Sequence, residues 1–304
     1  MEELDVSTLQ QKLVRLKLAN EDQIMTALDE TGNTKKPLEL LRALEKKGVL
    51  TPFHTSKILK GDEDGFFLGG YLLLYKIASG SFGRVYRAQD PQSGRVVAIK
   101  VLRRRWSEDK QRIALFMREG KMGLTLKNPY IVETLAVNQD PVTLNYYIVM
   151  EFIEGGNLRE ILAIRKKLDP AEACKWLEDL TQGLSFAYSQ GVTHRDIKLT
   201  NILISSSGHA KLVDFGLAQF FSGDAREDDE RVERTVDYAG LEKLTGVKPG
   251  DVRSDIYFLG TVMYQMLTGR SPIQWGRDKQ ARMNPKRFNE VVPMSHDEVD
   301  APGL

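Results

Sequence analysis

The sequence predicts an α+β protein in which a small helical unit precedes a β-rich half and then a helical half. Three observations predict it. Leucines recur at helical spacing through residues 1 to about 60. Short β-type runs separated by turns fill residues 71–102, and after Gly155-Gly156 the pattern turns mostly helical.

The first unit is read from Leu9, Leu13 and Leu16, then Ile24 and Leu28, then Leu40, Leu41 and Leu44. Caps punctuate these stretches: Asn20 with Gln23 behind it, Gly48 after a Lys-rich turn, and Thr51-Pro52 opening a further short helix. The polar run Gly61-Asp62-Glu63-Asp64-Gly65 marks a boundary, giving an expected helical unit over 1–64 and a second domain over 65–304. This unit carries no catalytic signature. Its leucines are accounted for by a small core of its own, and the functional reading is an interaction or regulatory module.

Strands are expected at Tyr71–Ile77, Arg84–Gln89 and Arg95–Leu102, with turns at Ser79–Gly83 and Asp90–Gly94. A helix follows from about Lys110 to Leu126, then strands near Ile131–Val137 and Tyr146–Phe152. Asp169-Pro170-Ala171-Glu172 reads as a capping box opening a helix buried along Trp176, Leu177, Leu180, Leu184 and Ala187. The helix from Ser254 to Leu267 is apolar nearly all round (Ile256, Phe258, Leu259, Val262, Met263, Met266), which predicts burial within a lobe.

Composition narrows the function classes. With 43 Lys+Arg against 42 Asp+Glu, the net charge of +1 gives no reason to propose nucleic acid or an anionic membrane as partner. A single cysteine, Cys174, excludes an internal disulfide framework and fits a reducing compartment; small filler on a helix is its expected role. The N-terminal MEELDVSTLQ has no signal-peptide pattern, and no uncharged apolar run approaches the ~20 residues of a spanning helix. The expectation is a cytoplasmic protein.

The chemistry-bearing residues come in an order that suits phosphoryl transfer, which needs a phosphate cover, a lysine, metal carboxylates and a group that orients the attacking hydroxyl. In IASGSFGRV, Gly80 and Gly83 let backbone N–H groups approach phosphate oxygens, although alone such a hairpin is more often only a turn. In RVVAIKVL, period-2 alternation puts Ala98 and Lys100 on one face and Val97, Ile99 and Val101 on the other. A lysine in that strand either needs a partner, for which Glu119 is the candidate, or snorkels to solvent from an edge. The stretch HRDIKLTN (194–201) then sets Asp196, Lys198 and Asn201 ahead of Asp214-Phe215-Gly216.

This set resembles the eukaryotic-type (Hanks-type) Ser/Thr protein kinases, with a texture similar to the bacterial ones. The resemblance implies the bilobal protein-kinase fold, with an N-lobe over about 65–153 and a C-lobe over about 154–304. It also implies roles. Asp196 would orient the substrate hydroxyl and Lys198 would neutralise the moving phosphoryl group. Lys100, aligned by Glu119, would grip the α/β-phosphates. Asn201 and Asp214 would hold Mg2+, with Mn2+ as a substitute, and ATP would lie against Ala78, Gly80, Gly83, Val85, Ala98, Met150, Glu151, Ile153, Asn157 and Leu203. His194 and Phe215 would be structural supports, and Asp255 an anchor for the catalytic-loop backbone.

RTVDYAGLE resembles a substrate-docking stretch in which Thr235 contacts the catalytic loop, and Lys198 with Thr235 favours Ser/Thr acceptors. Hydroxyls are scarce in this segment (Ser222, Thr235 and Tyr238), and Ser222 and Thr235 are the candidate phosphorylation points, self-association serving autophosphorylation. The acidic run Arg226–Arg234 is either a solvated loop or a source of Asp228, Asp229 or Glu230 to pair with Arg195. Three departures stand out. Ala78 replaces the first glycine, Gly240-Leu241-Glu242 replaces Ala-Pro-Glu, and Gly123 stands where relatives carry a large apolar side chain, which is expected to leave its helix loosely seated. The final helices of the C-lobe are expected to lie beyond Leu304. The alternative readings are a nucleotide-binding pseudokinase scaffold and a small-molecule kinase.

Overall fold

The computed structural model of the chain describes residues 5–80, 82–215, 230–248, 250–273, 284–294 and 299; at 230–236 and 285 only the backbone is described. Packing divides the chain into two compact units. The first comprises Met1–Ser79, Arg84–Lys100 and Gln139–Leu144, and the second Gly80–Gly83, Val101–Asn138 and Asn145–Leu304.

In the first unit, four helices come first: α1 (Val6–Arg15), α2 (Glu21–Glu30), α3 (Pro37–Lys46) and α4 (Pro52–Leu59). Their starts are chemically specified. Asp5 accepts from the Thr8 N–H, Asn20 and Gln23 form a reciprocal capping box, and Thr51 forms another with His54. Strands β1 (Phe67–Leu68), β2 (Tyr71–Ser79), β3 (Gly83–Gln89) and β4 (Val96–Leu102) follow, neighbours in that order. The leucines of the helices and Phe66 form one buried cluster, against which Phe67 and Leu72 also pack, so the helices and the first strands share a core across the polar run at 61–65.

A bulge in β2 tightens that join. The β2–β3 register shifts between Leu73 and Tyr75, taking Leu74 out of the ladder. Two successive carbonyls of β2 are then served by α4 instead. The Thr51 hydroxyl donates to the Leu74 C=O at 2.6 Å, and His54 Nε2 bonds the Leu73 C=O at 2.6 Å. The His54 Nδ1 accepts from the Thr51 N–H, so Nε2 carries the ring proton. Burial pushes this imidazole below its ordinary range, keeping it neutral.

Strand β4 departs from simple alternation. Val97, Ala98, Ile99 and Lys100 are all buried and Val101 is only partly so, because both faces of the strand are covered.

The second unit contains α5 (Lys110–Gly123), β5 (Thr134–Gln139), β6 (Tyr146–Glu151), α6 (Leu158–Arg165), α7 (Pro170–Ser189), the hairpin β7 (Ile202–Ile204) and β8 (Ala210–Leu212), α8 (Glu230–Thr245) and α9 (Val252–Thr268). A single apolar cluster joins α6, α7 and α9 to the β7–β8 hairpin and to Ile197. Three local expectations are corrected here. Asp169 caps α7 by accepting from the Ala171 N–H, while Glu172 turns away to a bidentate pair with Arg165, so no capping box forms. On α9, Ile256 is 57% exposed, sharing an open stripe with Val252 and Gly260 at four-residue spacing. Cys174 is exposed on α7 rather than filling a core. RTVDYAGLE forms part of α8, so the docking stretch is helical in its backbone. Among the described residues no helix is long and apolar enough to cross a membrane.

Candidate active site

The centre of the second unit is the turn from Thr193 to Asn201, and its shape is imposed from below by Asp255 in the first turn of α9. Asp255 is 1% exposed. Its Oδ2 accepts the His194 N–H and its Oδ1 accepts the Arg195 N–H, each at 2.8 Å. The hydroxyls of Tyr188 and Tyr238 also donate to this carboxylate, at 3.3 and 3.1 Å. A buried carboxylate is tolerable only with such a set of donors.

Arg195 has φ 62°, a left-handed conformation that an arginine adopts only when its surroundings impose it. Its Nε donates to the Thr193 hydroxyl at 2.7 Å. A Cβ on Gly250 would lie 2.4–2.6 Å from the guanidinium, so glycine is required for that approach.

His194 is fully buried beneath the turn. The Asp196 N–H donates to its Nδ1 at 3.2 Å, so Nε2 bears the proton and donates to the Val213 C=O at 3.1 Å. Burial pushes its pKa down and keeps the ring neutral. The ring packs against Phe215 with centroids 4.6 Å apart. His194 thereby links the Asp196 turn to the Val213-Asp214-Phe215 turn, the supporting place that the resemblance implies.

Asp196, Lys198 and Asn201 are brought together. Lys198 Nζ forms an ion pair with Asp196 Oδ2. Asn201, 5% exposed, donates from Nδ2 to the Asp196 C=O at 3.0 Å and to Asp196 Oδ2 at 2.9 Å. The Asn201 C=O accepts from the Val213 N–H at 3.1 Å, placing Asn201 one residue from Asp214 in the hydrogen-bond network. Asp214 has φ 66°. The Nδ2 of Asn201 is thus committed to Asp196. An amide oxygen, as on Asn201, and a carboxylate, as on Asp214, are hard-oxygen donors of the kind Mg2+ or Mn2+ accepts.

The other expected residues are placed as follows. In the first unit, Ala78 and Val85 are partners in the β2–β3 ladder, and Ala98 and Lys100 lie buried on β4. In the second unit, the Gly80 N–H donates to the Gly83 C=O at 2.9 Å, closing the glycine turn. Asn157 and Leu203 form an isolated antiparallel bridge. Asn157 also caps α6, its Oδ1 accepting from the Glu160 N–H at 3.1 Å. Glu119 is buried on α5, and with Gly120, Gly123, Thr134, Met150, Asp214 and Phe215 it lines a small cavity with about 30 Å3 of room. Glu151 is tied down: its N–H donates to the Glu133 C=O, and its carboxylate accepts from the Glu133 N–H and from Lys211. Ile153 is half-buried.

Ser222, Asp228 and Asp229 lie outside the described residues, as do the side chains of Glu230 and Thr235 and the segment from Trp275 to residue 283. Sequence reasoning missed both tyrosines on Asp255 and the role of Thr134 opposite Gly123. No local signal marks the tyrosines, since Tyr188 and Tyr238 reach Asp255 across 67 and 17 residues of chain.

The sequence profile described as "Protein kinase domain" matches residues 71–301. The chain belongs to this family. Serine/threonine-protein kinase PrkC of Bacillus subtilis (strain 168) is 34% identical over 239 residues, covering 76% of this chain and 36% of the relative. The probable serine/threonine-protein kinase PknB of Lactococcus lactis is 33% identical, covering 75% and 36%. Serine/threonine-protein kinase PknL of Mycobacterium tuberculosis is 34% identical, covering 76% and 56%. The chain thus spans between about a third and just over half of these relatives. As a protein kinase domain it has the α+β fold expected of it, and the family uses ATP with a divalent metal. In this kinase domain Glu242, which closes Gly240-Leu241-Glu242, accepts from the Gly250 N–H at 2.9 Å and from the Ser254 hydroxyl at 3.3 Å. The same helix carries Asp237, partly buried, in an ion pair with the buried Arg287 at 2.7 Å.

Proposed function

We propose that this chain is an ATP- and Mg2+-dependent protein kinase that phosphorylates serine and threonine hydroxyls of proteins, including its own, in the cytoplasm. The observation that carries the reading is the knot of Asp196, Lys198 and Asn201, three polar side chains held within bonding distance on a turn that Asp255 and His194 fix from behind.

Asp196 accepts the proton-bearing end of the incoming hydroxyl and aims its oxygen along the line of transfer. Lys198, now paired with Asp196, offsets negative charge that grows on the transferring group. Asn201 and Asp214 would hold the divalent ion, which when bound neutralises and orients the nucleotide phosphates. Lys100 binds phosphate oxygens and Glu119 aligns it. Met150, Glu151 and Ile153 with Ala78, Val85, Ala98, Asn157 and Leu203 receive the nucleoside, and Gly80 and Gly83 give its phosphates backbone N–H groups. Ser/Thr preference rests on Lys198, Thr235 and the names of the relatives. Every side chain the transfer needs is present, and no observation favours a scaffold role.

The test is the intact mass of the purified chain before and after Mg·ATP, beside Asp196→Asn. Phosphoryl increments in the wild type alone are expected. Equal increments in both proteins, or none in the wild type with protein substrates added, would overturn the assignment.

A further inference from the structure

Tyr238 is one of the few hydroxyls between Asp214 and Glu242, and the structure commits it to the catalytic loop. It is 6% exposed on α8, and its ring stacks on Phe258 with centroids 4.0 Å apart and planes at 19°. Its hydroxyl accepts the Ile197 N–H at 2.8 Å and donates to Asp255 Oδ1 at 3.1 Å. Burial, reinforced by the Asp255 charge, raises the phenol well above its ordinary range, so it stays a neutral donor.

The Ile197 N–H and the Asp196 C=O belong to one planar peptide unit. The C=O end is held by Asn201 Nδ2 at 3.0 Å, and the N–H end by Tyr238. That unit joins Asp196 to Ile197, the residue that precedes Lys198, and Ile197 itself is buried, 3% exposed. Clamped at both ends, the plane cannot rotate; released at the N–H end, it can swing Asp196 and loosen Asn201 together.

We propose that Tyr238 is a positioning residue of the phosphotransfer centre, locking the Asp196–Ile197 peptide plane through its hydroxyl and transmitting the position of α8 to Asp196. The inference rests on the kinase reading above. It concerns a residue that touches neither nucleotide nor acceptor.

The experiment compares Tyr238→Phe and Phe258→Leu with the wild type. Tyr238→Phe keeps the stack and loses only the hydroxyl, whereas Phe258→Leu weakens the stack and keeps the hydroxyl. Misplacement of a catalytic group by a fraction of an ångström is expected to lower kcat about tenfold in Tyr238→Phe, with the KM for ATP within about twofold of wild type. Phe258→Leu should lower the melting temperature with little change in kcat. A Tyr238→Phe kcat within about twofold of wild type, or an equal kcat loss in both variants, would overturn the proposal.

A second measurement needs no catalysis. Hydrogen exchange at the Ile197 amide, read by NMR in the wild type, should be among the slow exchangers of the loop. Fast exchange there would sink the proposal even if Tyr238→Phe did not fold. A wild type that transfers no phosphate would instead count against the kinase reading, leaving the amide measurement to decide the role of Tyr238.

Discussion

Gly123 and Thr134 face each other so closely that no Cβ fits between them. A methyl group on Gly123 would lie 2.3 Å from the Thr134 Oγ1 and 3.1 Å from its Cβ. Gly120, three residues earlier on α5, makes the same approach: its Cβ would stand 2.6 Å from Val137 Cγ2 and 3.0 Å from Ile148 Cγ1. The expectation that Gly123 leaves its helix loosely seated is therefore reversed. The two glycines let α5 press its backbone onto β5 and β6, and the helix brings buried Glu119 with it.

Gly123→Ala tests that seating, and two effects compete. Alanine in a helix interior is worth up to about 1 kcal/mol over glycine, and at the last residue of α5 a part of that favours the variant. Overpacking a filled site costs about 1–3 kcal/mol, and Thr134 is buried and β-branched, with little freedom to move aside. The expected net effect is destabilisation of about 1 kcal/mol in a urea melt, with reduced ATP affinity as Glu119 is displaced. Thr134→Ala in the same chain removes the nearest atom and should recover most of the loss. A stable Gly123→Ala single variant would show that the helix does not sit this close.

Acid should weaken the fold through the buried histidines His54 and His194. His54 and His194 each use Nδ1 to accept a backbone N–H and Nε2 to serve a carbonyl, so a second proton would break a bond in either. Burial lowers both below the ordinary imidazole value of 6.5. The unfolded chain then binds more protons than the folded one at pH values below about 6.5, and stability falls as pH drops through that point toward the depressed folded-state values. The lowered carboxylates start from 3.8 or 4.5 and act at more acidic pH, so a comparison of urea midpoints at pH 7.5 and about 5.5 isolates the histidines. His54→Gln can place an amide N–H near the Leu73 carbonyl without titrating. It should reduce the loss between the two pH values while leaving the His194 share; an unchanged loss would remove His54 from the account.

Whatever depends on order along the chain was legible in the sequence. HRDIKLTN with Asp214 thirteen residues on announced the turn, and the apolar wrap of α9 announced the helix from which Asp255 supports it. The capping boxes at Asn20 and Thr51 were equally local. What escaped was tertiary. Glu172 left its box for Arg165, a choice made by an adjacent helix end. The bulge at Leu74 and its hydroxyl partner are separated by 23 residues, and Tyr238 meets Ile197 across 41. Gly123 reads as a weakness until the side chain opposite it is known, because a glycine's meaning lies in what approaches it. In α8, the local helical preference of ERVERTVDYAGLEKLT is realised where the family resemblance implied a docking stretch.

The helices before residue 60 should be inseparable from the strand they touch. Thr51 both caps α4 and donates to the Leu74 carbonyl that the β2 bulge frees. Thr51→Val keeps the shape and removes both bonds. The cap is worth about 1 kcal/mol, and a buried carbonyl left without its donor costs about 1–3 kcal/mol more. Against a total stability of about 5–15 kcal/mol, that loss should move the urea midpoint of the whole transition, followed both by far-ultraviolet dichroism and by nucleotide binding. Two separate transitions, with the variant shifting only the helical one, would mean that α1–α4 fold as an independent module. One shared transition shifted by Thr51→Val is the expected result, because the core around Phe66 belongs to helices and strands alike.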